Sequence, residues 1–336
     1  MLADTQLVTN TTESGAQPDV SVAIACYNAM PYLPEAIDSA LHQRGVTVEV
    51  LIVDDHGSDG SLAYARQRAA SDPRVRVFQT PENQGPGGAR NIAIEHMRGR
   101  WYAVLDSDDV LEPDRLAQMI ALGERQQAEL VADDLTIFGD NIPTTRFLEG
   151  TRLLDSGVID LDTYFRHTVM FGQGPSLGFL KPIIRASAFE GGRHRYRQDL
   201  RIGEDDELIV QLLLGGADYR LLPKAGYRYR KHEHSISHRL SLANAQRMLA
   251  SERELQAEIA RKGRLTSAYL RRYRSIERAV AFTQAVEALK QRRFGSAIAA
   301  IVRNPAAARH FALPLSALAE RWRKRIASAI PGSREG

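Results

Sequence analysis

Apolar residues come in short blocks along the first half of the chain, separated by helical stripes. Val20 to Cys26 is nearly continuous apolar sequence and predicts a strand buried on both faces. Tyr32 to Gln43 carries Leu33, Ile37, Ala40 and Leu41 at helical spacing. Val46 to Val53 predicts a second strand, followed by the turn-forming HGSDGS and a helix to about Ala70. Val75 to Gln79 reads as a strand, Ala89 to Met97 as a helix, and Trp101 to Leu105 as a fourth strand. Beyond it come a helix over Pro113–Glu124, a strand over Ala128–Phe138 and a helix over Val158–His167. A glycine-rich loop from Phe171 then leads into a strand through Lys181 and Arg185. A helix follows the acids of RIGEDDELIVQLLL, and a short aromatic strand spans Ala225–Tyr229. From Leu240 the pattern is helical only, with breaks at Gly295 and Pro305.

Strands alternating with helices at short intervals imply βαβ units, hence an α/β fold with a mostly parallel sheet, flanking helices and a C-terminal helical extension. In such sheets the ligand crevice lies beyond the carboxyl ends of the strands. Asp54 and Asp55 follow one strand, and Asp106, Asp108 and Asp109 follow another. Crowded carboxylates repel unless a cation or donors compensate, and a hard divalent ion shared with substrate phosphates is one such compensation. A solvated acidic turn capping the next helix is the plainer alternative. NQGPGGAR sets Gly87 and Gly88 before a helix, where backbone amides can approach an anion and Arg90 can fork onto a phosphate or a base. Its spacing fits neither a Walker A loop nor GxGxxG. Glu204, Asp205, Asp206 and Glu207 open a helix, as dipole partners or with one of them serving as a base. His232, His234 and His238 offer metal or phosphate contacts, or line a solvated loop.

Composition narrows the classes. With 43% hydrophobic and 25% charged residues the chain has ordinary soluble composition. Its single cysteine, Cys26, excludes an intrachain disulfide and points to a reducing, cytoplasmic setting. Residues 1–18 lack a basic and apolar leader and read as a disordered tail. The net charge of +3 conceals a split: Arg261 to Gly336 holds 17 Lys+Arg against 4 Asp+Glu. That excess suits an anionic partner, and the inner face of the cytoplasmic membrane is preferred to a nucleic acid.

The pieces VSVAIACYN with IVDDHGSDGS, NQGPGGARN, WYAVLDSDD, GEDDEL and YRYRKHEHSIS together resemble the inverting family 2 glycosyltransferases of GT-A fold, in order, over about residues 20 to 240. LKPIIR, RIGEDDEL and SISHRL look most like bacterial glucosyltransferases of succinoglycan-type exopolysaccharide synthesis. The resemblance implies a nucleotide-sugar half over 19–110 and an acceptor half over 111–239, followed by the basic extension, 240–336. It implies that Asp55 accepts from a uracil ring, that Ala25 and Tyr27 line the nucleoside pocket, and that Arg90 approaches the base. Asp106, Ser107 and Asp108 match the DXD motif; Asp106, Asp108, the adjacent Asp109 and His232 are the implied metal set, for Mg²⁺ or Mn²⁺. Asp205 matches the catalytic base, with Glu204 beside it. The implied donor is a UDP-sugar, UDP-glucose first, and the implied acceptor a lipid-linked oligosaccharide; no nucleic acid is expected. The QxxRW motif of processive synthases is absent, which implies single-sugar addition. A sugar-nucleotide nucleotidyltransferase is the enzymatic alternative, but CYNAMPYL lacks the basic residues of a triphosphate loop. A non-enzymatic nucleic-acid-binding protein is the other.

Overall fold

The structure, a computed structural model, describes residues 16–140, 142–232 and 240–312. The chain forms two compact units, one of residues up to 168 with 174–238, the other of 169–173 with 239 onward.

The first unit opens with Val20–Cys26 (β1), Leu33–Leu41 (α1), Val48–Asp54 (β2), Ser61–Ser71 (α2), Val75–Gln79 (β3), Gly85–His96 (α3) and Trp101–Val104 (β4). These four strands pair with one another only in parallel, with Val20 opposite both Val48 and Trp101. Their carboxyl ends therefore share one edge, where Asp54, Asp55 and Asp106 emerge. All of β2 is buried, which explains its mostly apolar sequence; its one interior charge, Glu49, accepts from the Ser21 hydroxyl and pairs with Arg76. On one side α1 covers the sheet with Leu33, Ala36, Ile37, Ala40 and Leu41.

The second half adds Val110–Leu111 (β5), Arg115–Gln126 (α4), Leu130–Gly139 (β6), Thr145–Arg146 (β7), Leu153–Ser156 (α5), Leu161–Arg166 (α6), Ile183–Arg185 (β8), Glu204–Leu214 (α7) and Tyr219–Lys231 (β9). The sheet runs β3-β2-β1-β4-β8-β6-β9-β5, with β7 on β6. Here β8 is antiparallel to both β4 and β6, while β6 and β9 pair in parallel. The second half thus mixes the two senses around the parallel first half. Between β6 and β9 the register shifts at Asp133–Leu135, and the carboxylate of Asp133 fills the irregularity. It pairs with Arg115 at 2.8 Å, both side chains fully buried, and accepts from the Gly226 amide at 3.0 Å. A Cβ on Gly226 would lie 2.6 Å from that carboxylate, so no side chain fits there.

The second unit holds Leu242–Arg261 (α8), Ser267–Lys290 (α9) and Phe294–Arg303 (α10), with Ser241 and Thr266 capping the first two by accepting from Asn244 and Tyr269 amides. Pro305 follows the end of α10 as expected, but Gly295 lies inside its first turn, and the chain breaks before it, where Arg292 takes φ +57°. A buried Glu252–Arg272 pair joins α8 to α9. No helix among the described residues is long and apolar enough to cross a membrane.

Candidate active site

Asp55 follows β2 and turns toward α3. One carboxylate oxygen accepts from the Thr80 hydroxyl (3.1 Å) and the Gln84 amide (2.7 Å), the other from the Gly85 amide (2.7 Å). Burial pushes this carboxyl above its ordinary value, and the two amide bonds oppose the rise. Asp55 thus braces the loop that starts α3, with Gly85 in the left-handed region at φ +81°. The helix begins at Gly85, ahead of the expected Ala89, so Gly87 and Gly88 lie in its first turn. Ala25 is partly exposed near the end of β1, and Tyr27 just beyond is half-exposed.

Arg90, expected to fork onto a phosphate or a base, forks onto carboxylates. Its guanidinium bonds Glu204, Asp205 and Asp106, each at 2.7 Å, and lies over the Tyr196 ring. Lys181 completes the cluster, 2.8 Å from Asp106 and 3.1 Å from Asp205. Three acids and two cations therefore bridge the end of β4 to the start of α7. Burial works to raise the Asp106 carboxyl, but the charges of Lys181 and Arg90 outweigh it and hold it at about 2. Burial and the Asp205 charge push Glu204 up, with Arg90 in opposition. Asp106 is ionised near neutrality, whereas Glu204 protonates more readily than a free glutamate.

Asp108 and Asp109 turn away from Asp106 toward the end of β9. His232 Nε2 lies 2.8 Å from Asp108 and its ring stacks on Tyr32 at 4.8 Å. Asp109 accepts from the Tyr227 hydroxyl and the Arg230 amide, both at 2.7 Å. Burial and the charges of Asp106 and Asp108 push Asp109 well up. Ser107 is partly exposed between the two arms.

The four-residue metal set is not assembled. Among the described residues no three His, Cys, Asp or Glu side chains are arranged so as to hold a metal ion. Asp106 is already neutralised by two cations, and both oxygens of Asp109 are taken by β9. Asp108 with His232 is the pair whose donors fit a divalent cation. His234 and His238 lie outside the described residues. Sequence reasoning noted Lys181 only as part of a strand and did not place Tyr196, Tyr227 or Arg230 in the site. Lys181 carried a faint signal, a lone cation in an apolar stretch between glycines and a buried strand.

A parallel half-sheet joined to a mixed half, with acids at the carboxyl ends and a second carboxylate pair facing them, is the arrangement of the GT-A fold. The chain belongs to glycosyl transferase family 2, whose model matches residues 21–185. It is 36% identical over 309 residues to the succinoglycan biosynthesis protein ExoO of Rhizobium meliloti (strain 1021), covering 92% of this chain and 88% of that protein. Among solved structures, Staphylococcus aureus TarS 1-349 in complex with UDP superposes with a TM-score of 0.60 at 16% identity, over 85% of this chain and 92% of that one. The mannosyltransferase PcManGT from Pyrobaculum calidifontis, in complex with GDP-Man and Mn²⁺, gives 0.53 at 17% identity, over 90% and 81%.

Proposed function

We propose that the protein is an inverting hexosyltransferase of exopolysaccharide synthesis, moving glucose from UDP-glucose to a hydroxyl of a lipid-linked oligosaccharide. The observation that carries the reading is the ionic cluster tying Asp106 of the DXD motif to Asp205 through Arg90 and Lys181. A carboxylate held beside the DXD motif in this way supports the reading, because single displacement needs a base across from the leaving diphosphate. Ala25, Tyr27 and the loop braced by Asp55 form the nucleoside end. Asp108 and His232 would hold Mg²⁺ or Mn²⁺, which would supply positive charge to the leaving diphosphate. Asp205 takes the acceptor proton as the hydroxyl attacks; each of its oxygens has a second lone pair beyond its ion pair. An α-linked donor then yields a β-linkage. Glu204 and Arg90 fix the direction in which Asp205 points. Residues 19–110 serve the donor and 111–239 the acceptor, and in the latter the exposed ring of Phe179, flanked by Phe147 and Tyr229, offers a face for a sugar ring. The basic extension, 240–336, holds the enzyme on the anionic inner face of the membrane, where lipid-linked acceptors reside. The test is UDP release from UDP-glucose with Mn²⁺ and a membrane extract as acceptor source. Release that requires the metal and the extract supports the reading; UDP-glucose left intact under all conditions, with no UDP binding, rejects it.

A further inference from the structure

Among the described residues the three most exposed large apolar side chains are Phe294, Ile298 and Val302, at 62%, 64% and 69%. They stand four residues apart on one ten-residue helix, α10. That spacing puts them in one stripe about 12 Å long. The opposite face buries Ala297 and Ala300 where α10 packs with α9. Apolar residues scattered singly need no account, but three on one helical stripe form a docking face. The surrounding charge says what covers it. Lys290, Arg292 and Arg293 precede the stripe and Arg303 closes it, and there is no Asp or Glu from Ala288 to Ala312.

A second copy of this chain would bring those same cations face to face, which like-charge repulsion opposes. Residues 313–336, with five Lys+Arg against two Asp+Glu, are no better matched in charge. An anionic lipid surface matches on both counts, with acidic headgroups at the level of the basic residues and acyl chains beneath them.

We propose that α10 lies in the plane of an anionic bilayer with Phe294, Ile298 and Val302 inserted below the headgroups. This rests on the membrane-facing reading of the basic extension and adds to it an apolar, salt-insensitive component. Attachment by charge alone is released by salt, whereas an inserted stripe leaves part of the binding in place at high salt.

Full-length protein is sedimented with phosphatidylcholine vesicles with and without phosphatidylglycerol, at low and high salt. Wild type is expected to pellet with the anionic vesicles and to retain a fraction at high salt. Ile298→Asp with Val302→Asp should lower the partition coefficient by ~10-fold or more and abolish the salt-resistant fraction. Both positions are exposed, so unchanged helical circular dichroism and unchanged UDP binding verify that the variant is intact and that the donor site is unaffected. Because Cys26 is buried, a thiol placed by Ile298→Cys can be labelled selectively with an environment-sensitive fluorophore. Blue-shifted emission on adding anionic vesicles supports insertion. Three results overturn it: equal partitioning of the double variant, a label blind to vesicles that carry the protein, or a label that responds to protein concentration alone alongside a dimer lost in the double variant. Loss of all vesicle binding by wild type overturns the membrane reading itself and with it this proposal, without bearing on transferase activity.

Discussion

Replacing Lys181 by Met keeps the length of the aliphatic stem and removes the charge between Asp106 and Asp205. Its side chain is 10% exposed, and its two ion pairs lie at 2.8 and 3.1 Å. Asp106 sits at about 2 against an ordinary 3.8, a displacement of roughly 2–3 kcal/mol. Lys181 is the larger of the two cationic causes, so about half or more of that stabilisation goes with it. Asp205 loses a partner as well, and breaking a buried pair from one side typically costs about 3–5 kcal/mol. A net loss of roughly 2–4 kcal/mol follows, or about 5–15 °C in the melting of the catalytic unit. The pH dependence separates charge from packing. A carboxylate held below its unfolded value contributes stability that is present above that value and lost as pH falls from about 4 toward 2. In the variant burial is less opposed, so the Asp106 carboxyl rises and acid relieves the penalty of its charge. The gap between wild type and Lys181→Met in urea unfolding should therefore be full at neutral pH and narrower near pH 4, and Lys181→Arg should recover part of it. A gap of the same size at both pH values would assign the loss to packing and refute the electrostatic account.

The other expectations concern the donor and the base. Asp205→Asn keeps size and loses basicity, so turnover should fall by roughly 10²-fold or more with UDP affinity close to wild type; equal turnover moves the role to Glu204 or Asp206. Calorimetric titration with UDP and Mn²⁺ should show affinity that EDTA or Asp108→Ala removes, and metal-free binding undiminished in that variant sinks the Asp108–His232 site. Gly85→Ala places a side chain at φ +81° with its Cβ 2.5 Å from the Arg201 guanidinium. It should cost about 1–2 kcal/mol and weaken UDP binding through the Asp55-braced loop, measured by thermal melting and the same titration.

Much of the first half was legible because each buried strand is a clean apolar run: β1 and β3 have the expected bounds. Longer-range demands were not legible. The aromatic strand Ala225–Tyr229 extends to Tyr219–Lys231, because Arg220, Pro223 and Lys224 interrupt its pattern at the irregular pairing with β6. Helix α3 starts on glycine and proline, which local propensity reads as loop, since Asp55 supplies the acceptor that fixes its first amides. The two-residue strands β5 and β7 are too short to leave a periodicity. The acids of the site could be found by their position after strands, but their partners could not. Arg90 meets Glu204 and Asp205 from more than a hundred residues away, and nothing local announces such a pairing.

The sheet order carries a consequence for how the chain is made. β8 enters between β4 and β6, although it follows β6 in sequence. During synthesis the parallel block β3-β2-β1-β4 can form early, but the outer side of β4, the wholly buried strand Trp101–Val104, then has no neighbour until Ile183–Arg185 leaves the ribosome. An apolar edge left open over some eighty residues of elongation amounts to several seconds at ordinary translation rates, long enough for a wrong strand to add to it. Nascent-chain protection by chaperones, or slow elongation placed after residue 185 and not before it, would favour correct pairing at that edge.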